Sequence, residues 1–247
     1  MKVYLHNFFH DMDLTPFYRL FSYVFNTPVE RGGLDDSEIL FESVFGTTTL
    51  LSNKTWKYSF LFIGESDRRL PIFITDGVHN PQLKEYSCVL KGKTDEWSNV
   101  VNFPLFVLYI YSFKFKFSPY ICSRIPPKNV CVIISNAYDD EGRTFFIDQL
   151  EKFVHIDYAG AYKNNVPRIE HSHSSPKFIE YLSNYKVIIS MENSKNNNYI
   201  TEKLINAFAA NVIPVYWGAD NVGDYFNEER FIHVKKFSLL DLSLIHI

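Results

Sequence analysis

Short apolar runs of strand length alternate along this chain with stretches in which apolar side chains recur at helical spacing. In the first half, that spacing predicts one helix over residues 15–25. The apolar runs of the same half predict strands at residues 2–5, 39–44, 58–63 and 71–75. These elements are compatible with a small sheet built from strand–helix–strand units.

The second half shows a clearer alternation of strands and helices. Strands are predicted at residues 130–135, 153–158, 187–191, 212–217 and 231–234. Helices are predicted at residues 142–153, 175–185 and 201–210. The first of these helices is expected to carry one apolar face, formed by Phe145, Phe146, Leu150 and Phe153. Helices that alternate with nearly continuous apolar strands favour an α/β fold with a parallel, doubly wound sheet.

A proline-containing stretch at residues 118–129 separates the two halves and is the best linker candidate. We therefore predict two Rossmann-like domains, residues 1–122 and 123–247, that face each other across a cleft. Ligands of such sheets bind beyond the carboxyl ends of the strands. Residues 191–199, which lie between a predicted strand and a predicted helix, occupy that position.

Composition and charge narrow the classes of function. The formal net charge is −3, so the basic face of a general nucleic-acid-binding protein is not expected. The three cysteines form no C-x-x-C pair, which favours free thiols over a disulfide framework or a structural zinc site. The most apolar run, residues 100–113, is too short to span a membrane and predicts a buried strand or helix. The aromatic share of 17% is expected mainly in the core.

Residues 199–203, with the sequence YITEK, carry a chemical signal. Thr201 is a plausible N-cap, and the spacing of Tyr199, Glu202 and Lys203 places these three on one side of the helix start. The free amide groups and the dipole of a helix N-terminus favour an anion. A lysine in that turn is unfavourable for the helix itself but suits a bound phosphate. An ordinary exposed helix start remains the alternative.

Three motifs follow one another around this segment. They are E-N-S at residues 192–194, Y-I-T-E-K at residues 199–203 and I-P-V-Y-W-G at residues 213–218. In this order they resemble the hallmark segment of the α1,3/4-fucosyltransferases, glycosyltransferase family 10. Weaker resemblance extends from about residue 39 to about residue 237.

The resemblance implies a fold and a reaction. Members of the family have a two-domain GT-B fold and transfer L-fucose from GDP-fucose to a hydroxyl of N-acetylglucosamine or glucose. The transfer inverts the anomeric carbon and gives an α1,3 or α1,4 linkage. By this resemblance the second domain would bind GDP-fucose, and the first would bind an acceptor glycan of the N-acetyllactosamine type.

The resemblance also assigns roles to individual residues. Glu65 matches the proposed catalytic base. The positions that match the substrate-binding set are Arg143, Glu192, Asn193, Ser194, Tyr199, Glu202 and Lys203. Within this set, Arg143 and Lys203 match residues that hold the pyrophosphate, and Glu202 matches the ribose contact.

These residue types suit the reaction. An inverting transfer needs one carboxylate to take the proton from the attacking hydroxyl. The departing diphosphate needs positive charge, which an arginine supplies through two N–H groups and a lysine as a point charge. Because these cations would replace a metal, we expect no tightly bound cofactor and no metal ligands, although loose stimulation by Mg²⁺ or Mn²⁺ is allowed. For Glu65 an ion pair with Arg68 or Arg69 is the open alternative.

Two features depart from the family. The chain ends soon after the last predicted strand, so the second domain is expected to be truncated at its C-terminus. It lacks the N-terminal membrane helix of animal members, which favours a cytoplasmic or membrane-peripheral enzyme, or a Golgi-lumen enzyme if the start is also truncated. Two other functions stay open: a GT-B transferase for another nucleotide sugar, and a truncated, non-catalytic module that binds a glycan or a nucleotide.

Overall fold

A computed structural model describes residues 1–10, 12–66, 81–92, 97–112, 124–135, 142–171, 173 and 175–235. The chain divides into two compact units, Met1–Ser112 and Phe113–Ile247. Every strand pair within the described residues is parallel, as predicted. The predicted strand at residues 71–75 and the predicted boundary after residue 122 lie outside the described residues. The assignment of domains 1–122 and 123–247 therefore stays a prediction.

The first unit contains a six-stranded sheet. Its strands are β1 (Lys2–His6), β2 (Glu30–Arg31), β3 (Ile39–Ser43), β4 (Tyr58–Phe62), β5 (Cys88–Lys91) and β6 (Val100–Asn102). They lie in the order β2-β1-β3-β4-β5-β6, so the direction of strand addition reverses between β1 and β3. The apolar pattern did not predict β2 or β5, because these strands are only two and four residues long.

Aromatic packing holds two helices against one face of this sheet. Helix α1 (Thr15–Val24) begins with a proline in its first turn, where the missing N–H removes no helical hydrogen bond. The rings of Phe17 and Phe21 lie 4.8 and 5.0 Å from that of Phe41 in β3, both edge-on. Helix α2 (Phe106–Ser112) adds Leu108 to the same core. The apolar run at residues 100–113 thus forms β6 and α2, and none of the described helices could span a membrane.

The second unit contains a five-stranded sheet with the order β8-β7-β9-β10-β11. Its strands are β7 (Lys128–Val132), β8 (Ile156–Tyr158), β9 (Tyr185–Met191), β10 (Ile213–Trp217) and β11 (Ile232–His233). Its helices are α3 (Arg143–Leu150), α4 (Pro176–Leu182) and α5 (Glu202–Ala209). Three short 3₁₀ helices occur in the described residues, at Pro81–Glu85 in the first unit and at Val222–Asp224 and Glu228–Arg230 in the second.

Helices cover both faces of the second sheet. On one face, Val132 and Ile189 pack in a core with side chains of α3. On the other face, Cys131 and Ile188 pack in a core with side chains of α4 and α5. Strands that are buried on both sides must be apolar at successive positions, which explains their continuous apolar runs. The predicted doubly wound, parallel α/β architecture is therefore confirmed for this unit.

The predicted apolar face of the helix after β7 was partly wrong. Phe145 and Phe153 are 56% and 64% exposed, whereas Phe146, Ile147 and Leu150 form the buried face. The helix ends at Leu150, so Phe153 lies beyond it and does not share its periodicity. It begins after Gly142, whose φ of 93° lies in the left-handed region that favours glycine.

Candidate functional site

A cavity of about 220 Å³ lies at the carboxyl ends of β7 and β9, within the second unit. These two strands flank the point at which the strand order reverses, and ligands of doubly wound sheets bind at such a point. The polar part of its lining includes Arg143, His173, Asn193, Glu202, Lys203 and Asn206. The cavity thus combines cationic, anionic and amide groups in one concave surface.

Helix α5 delivers two of the charged side chains. Thr201 precedes the helix in an extended conformation at the N-cap position, but its side chain makes no capping bond to the helix. The buried side chains of Leu204 and Ile205 anchor the helix on the sheet. Glu202 and Lys203 in the first turn therefore face the cavity, and the N-terminus of a helix favours a bound anion.

Glu192, directly after β9, lies beneath the cavity with no exposed surface. Its Oε1 accepts a hydrogen bond from the backbone N–H of Thr201 at 2.7 Å, and its Oε2 accepts one from the Thr201 hydroxyl at 2.7 Å. The ammonium group of Lys203 donates to the same Oε2 at 3.2 Å. Burial raises the pKa of Glu192 above 4.5, and the charge of Lys203 and the bonds from Thr201 oppose that shift. In this arrangement Glu192 supports the start of α5 from below.

Arg143, the first residue of α3, approaches the same place from the opposite face of the sheet. Its Nη1 donates to the backbone carbonyl of Glu192 at 3.3 Å and to Oδ1 of Asn193 at 3.2 Å. The side chain is only 2% exposed, yet it contributes to the cavity lining. An arginine in the first turn of a helix gains nothing from the helix dipole, so the helix itself does not explain why an arginine occurs at this position.

Glu202 is held in its charged form. Burial alone would raise its pKa, but Lys203, a backbone N–H and His173 together keep the pKa below the ordinary value of 4.5. Lys203 Nζ lies 3.3 Å from Glu202 Oε1. An ionised carboxylate can accept several hydrogen bonds, for example from neighbouring hydroxyl groups of a sugar.

The residues predicted from the sequence fall into three groups. The structure brings Arg143, Asn193, Glu202 and Lys203 together at the cavity. Glu192, Ser194 and Tyr199 belong to the loop that supports it and are 0%, 1% and 8% exposed. Glu65 lies in the first unit, three residues after the end of β4, and is half-buried.

Two lining residues were missed from the sequence. Asn206 follows Lys203 by three residues and Glu202 by four, so helical spacing could have identified it. His173 lies in a loop before α4 and its position gave no such signal. No group of three potential metal ligands occurs in the described part of the chain. Cys88 and Cys131 are free, as predicted, and Cys122 lies outside the described residues.

The fold of this chain is that of the GT-B class, as a comparison with solved structures shows. An α1,3-fucosyltransferase crystallised with GDP-fucose superimposes with a TM-score of 0.70 at 17% identity, over 98% of this chain and 76% of that chain. A second crystal structure of an α1,3-fucosyltransferase gives a TM-score of 0.72 at 16% identity, with 98% and 76% covered. At such low identity, these likenesses establish the fold.

Sequence comparison finds similarity to one family. Residues 125–244 match the family described as "Glycosyltransferase family 10 (fucosyltransferase) C-term". The α-(1,3)-fucosyltransferase FucT of Helicobacter pylori is 26% identical over 144 residues, which are 52% of this chain and 29% of that protein. The 4-galactosyl-N-acetylglucosaminide 3-α-L-fucosyltransferase 9 of Rattus norvegicus is 33% identical over 126 residues, 49% of this chain and 33% of that protein. The resemblance recognised in residues 192–218 is therefore confirmed, while the match spans about a third of these relatives.

Proposed function

We propose that this protein is an inverting fucosyltransferase that transfers L-fucose from GDP-fucose to a hydroxyl of a glycan. The observation that carries the proposal is the joint presence of Arg143, Lys203 and Glu202 in one cavity at the start of α5. Two cations and a helix N-terminus suit a diphosphate, and a charged carboxylate beside them suits the ribose that precedes it. The fucosyltransferases to which the chain is similar add the identity of the sugar.

The cations have a defined task in this proposal. Lys203 places a point charge near the diphosphate, and Arg143 offers N–H groups that can bind two of its oxygens. Both residues balance the negative charge that develops as GDP departs. We therefore propose that the reaction needs no tightly bound metal, although Mg²⁺ or Mn²⁺ could still stimulate it loosely.

The remaining donor-site residues complete the binding surface. Glu202 would accept hydrogen bonds from the ribose hydroxyls, and Asn193, which lines the cavity, would contact the nucleotide sugar. Glu192, Ser194 and Tyr199, which are buried, would act by holding these residues in place. This division of roles follows from the exposure of the side chains.

Glu65 is the proposed catalytic base. Its carboxylate would take the proton from the acceptor hydroxyl as that oxygen attacks the anomeric carbon of fucose. The bond from the anomeric carbon to the diphosphate breaks in the same step, so GDP leaves with the bonding electron pair and the configuration inverts. The acceptor would be an N-acetylglucosamine or glucose unit of an N-acetyllactosamine-type glycan, which gives an α1,3 or α1,4 linkage.

Nucleotide binding and turnover test the proposal separately. Isothermal titration with GDP, UDP and ADP should show a preference for GDP, and a GDP-fucose assay with N-acetyllactosamine should release GDP. The Glu65→Gln variant should lower turnover by at least about 100-fold and leave GDP affinity unchanged. Glu85→Gln, at an exposed position of the same unit, is the matched control.

Other outcomes point to the alternatives. Turnover with a different nucleotide sugar in a panel would identify another GT-B transferase. Tight GDP binding without turnover by the unmodified chain would identify a binding module. Glu65→Gln activity equal to that of the unmodified protein would exclude Glu65 as the base.

A further inference from the structure

The loop between β9 and α5 is fixed at its base and at its tip. At the base, the Glu192 carboxylate accepts the Thr201 N–H, so the two ends of the loop are joined. At the tip, Asn198 has a φ of 62°, a left-handed conformation that asparagine tolerates better than most residues. Asn193 at one end and Glu202 just beyond the other both line the cavity. The shape of the loop therefore sets the distance between the two sides of the cavity.

A pair of asparagines holds the tip, and we call it the Asn198–Asn221 clasp. The backbone N–H of Asn198 donates to Oδ1 of Asn221 at 2.9 Å, and Nδ2 of Asn221 donates to Oδ1 of Asn198 at 2.7 Å. Tyr225 donates its hydroxyl to the same Asn198 oxygen at 2.6 Å. The second hydrogen of Asn221 Nδ2 goes to Asp224 Oδ2 at 3.1 Å.

The clasp accepts only one orientation of the Asn221 amide. A backbone N–H can only donate, so the amide oxygen must face the Asn198 backbone and the amide nitrogen must face the Asn198 side chain. A second link, from Lys195 Nζ to Asp220 Oδ1 at 3.0 Å, ties the same loop to the same segment after β10. The loop is thus attached to its neighbour through specific polar contacts at several positions.

We propose that Asn221 is a positioning residue for the nucleotide-sugar site, which rests on the function proposed above. It does not line the cavity, so it acts through Asn198 on the loop that carries Asn193 and leads to Lys203. A loop that is already ordered loses less conformational freedom when a ligand binds. The clasp therefore raises affinity for the diphosphate without touching it.

An isosteric change isolates the clasp from bulk and packing. Asn221→Asp keeps the oxygen that accepts the Asn198 N–H, but replaces both donated hydrogens with a negative oxygen that faces Asn198 Oδ1 and Asp224. Asn198→Gly removes the oxygen that accepts the bonds from Asn221 and Tyr225, but it keeps the backbone N–H and permits the left-handed backbone at that position. Asn197→Ala, at an exposed position of the same loop, is the matched control.

Hydrogen exchange and GDP titration provide two independent measurements on the whole chain. For Asn221→Asp and Asn198→Gly we expect faster amide exchange in residues 194–200 and unchanged exchange in β9. We also expect GDP binding to weaken about tenfold, which is a loss of about 1.4 kcal/mol in binding free energy. The melting temperature should shift by no more than about 2 °C, and KM for the acceptor should not change. Asn197→Ala should match the unmodified protein in every measurement.

The possible failures are distinguishable. Unchanged exchange in residues 194–200 would show that the clasp does not order the loop. Faster exchange with unchanged GDP affinity would show that the ordered tip has no role in binding. If the unmodified protein does not bind GDP, the proposed function is overturned and Asn221 loses its proposed role, even where exchange shows that the clasp orders the loop.

Discussion

The ammonium nitrogen of Lys203 lies 3.2 Å from Oε2 of Glu192, a carboxylate with no exposed surface. Thr201 donates its hydroxyl to the same oxygen, so the start of α5 is attached to the residue that follows β9. Arg143 reaches the backbone carbonyl of the same Glu192 from α3. One buried residue therefore connects three of the elements around the cavity, β9, α3 and α5.

Loss of the Lys203 charge should destabilise the fold through Glu192. Lys203→Met leaves a buried carboxylate without its cation, which should reduce the free energy of unfolding at neutral pH by about 3 kcal/mol in urea denaturation. The same change should cost clearly less in a Glu192→Gln background, because the amide carries no charge. Lys177→Met, at an exposed position of α4, is the control. Equal costs in both backgrounds would show that the two residues are not coupled.

Arg143→Lys should reveal the value of the planar guanidinium. The lysine keeps the positive charge but cannot bind Asn193 and two diphosphate oxygens in the same geometry. We expect GDP affinity to fall by about tenfold in isothermal titration, the loss of one charge-assisted hydrogen bond. Affinity within about twofold of the unmodified protein would contradict a direct diphosphate contact.

Glu202 and Glu192 should affect stability at acidic pH with opposite signs. The pKa of Glu202 is lowered from 4.5, so its stabilising contribution is present above that pH and is lost as pH falls through the folded pKa. Thermal midpoints of Glu202→Gln should therefore fall less steeply below pH 4.5 than those of the unmodified protein.

Glu192 should show the reverse dependence. Burial raises its pKa above 4.5, so its ionisation costs stability as pH rises from 4.5 through the folded pKa. Glu192→Gln should remove that cost and leave the slope below pH 4.5 unchanged. The same thermal midpoints measure both variants, and slopes that change in the same sense would contradict the assigned shifts.

Gly218 should not tolerate a methyl group. A Cβ atom there would lie 2.5 Å from the Tyr216 hydroxyl oxygen and 2.6 Å from Cγ of Glu192. Gly218→Ala should therefore lower the free energy of unfolding by about 1–3 kcal/mol and also weaken GDP binding, because Glu192 must move. At Gly223 the three atoms nearest to an added Cβ all belong to the exposed side chain of Glu228, so Gly223→Ala should change neither property. Equal effects of the two variants on stability and GDP binding would show that the close contacts at Gly218 do not exclude a methyl group.

Much of the second unit could be predicted from the sequence, because its strands are buried on both faces and its helices follow the period of their apolar side chains. The helix expected at residues 201–210 occurs at Glu202–Ala209, and the strand expected at residues 187–191 lies within Tyr185–Met191. The first unit was less predictable. The two residues of β2 pair in parallel with β1, but both are exposed. They therefore give no hydrophobic pattern from which a strand could be predicted.

The residues of the candidate site could be predicted from the sequence. Which of them line the cavity and which are buried could not. Spacing alone places Glu202 and Lys203 on one side of a helix start. It cannot show that Glu192, a charged residue in a polar stretch, is completely buried, because its partners Thr201 and Lys203 lie nine and eleven positions later. Its burial depends on how the loop closes, which is a tertiary property.

The reversal of strand order between β7 and β9 also determines when the cavity can form. Lys128 at the start of β7 pairs with Tyr185 at the start of β9, 57 positions later in the chain. The site therefore depends on a non-local strand pairing, a kind of contact that is intrinsically slow to form. During synthesis on the ribosome, the cavity must wait for β9 and α5 to emerge, although Arg143 has by then long been available.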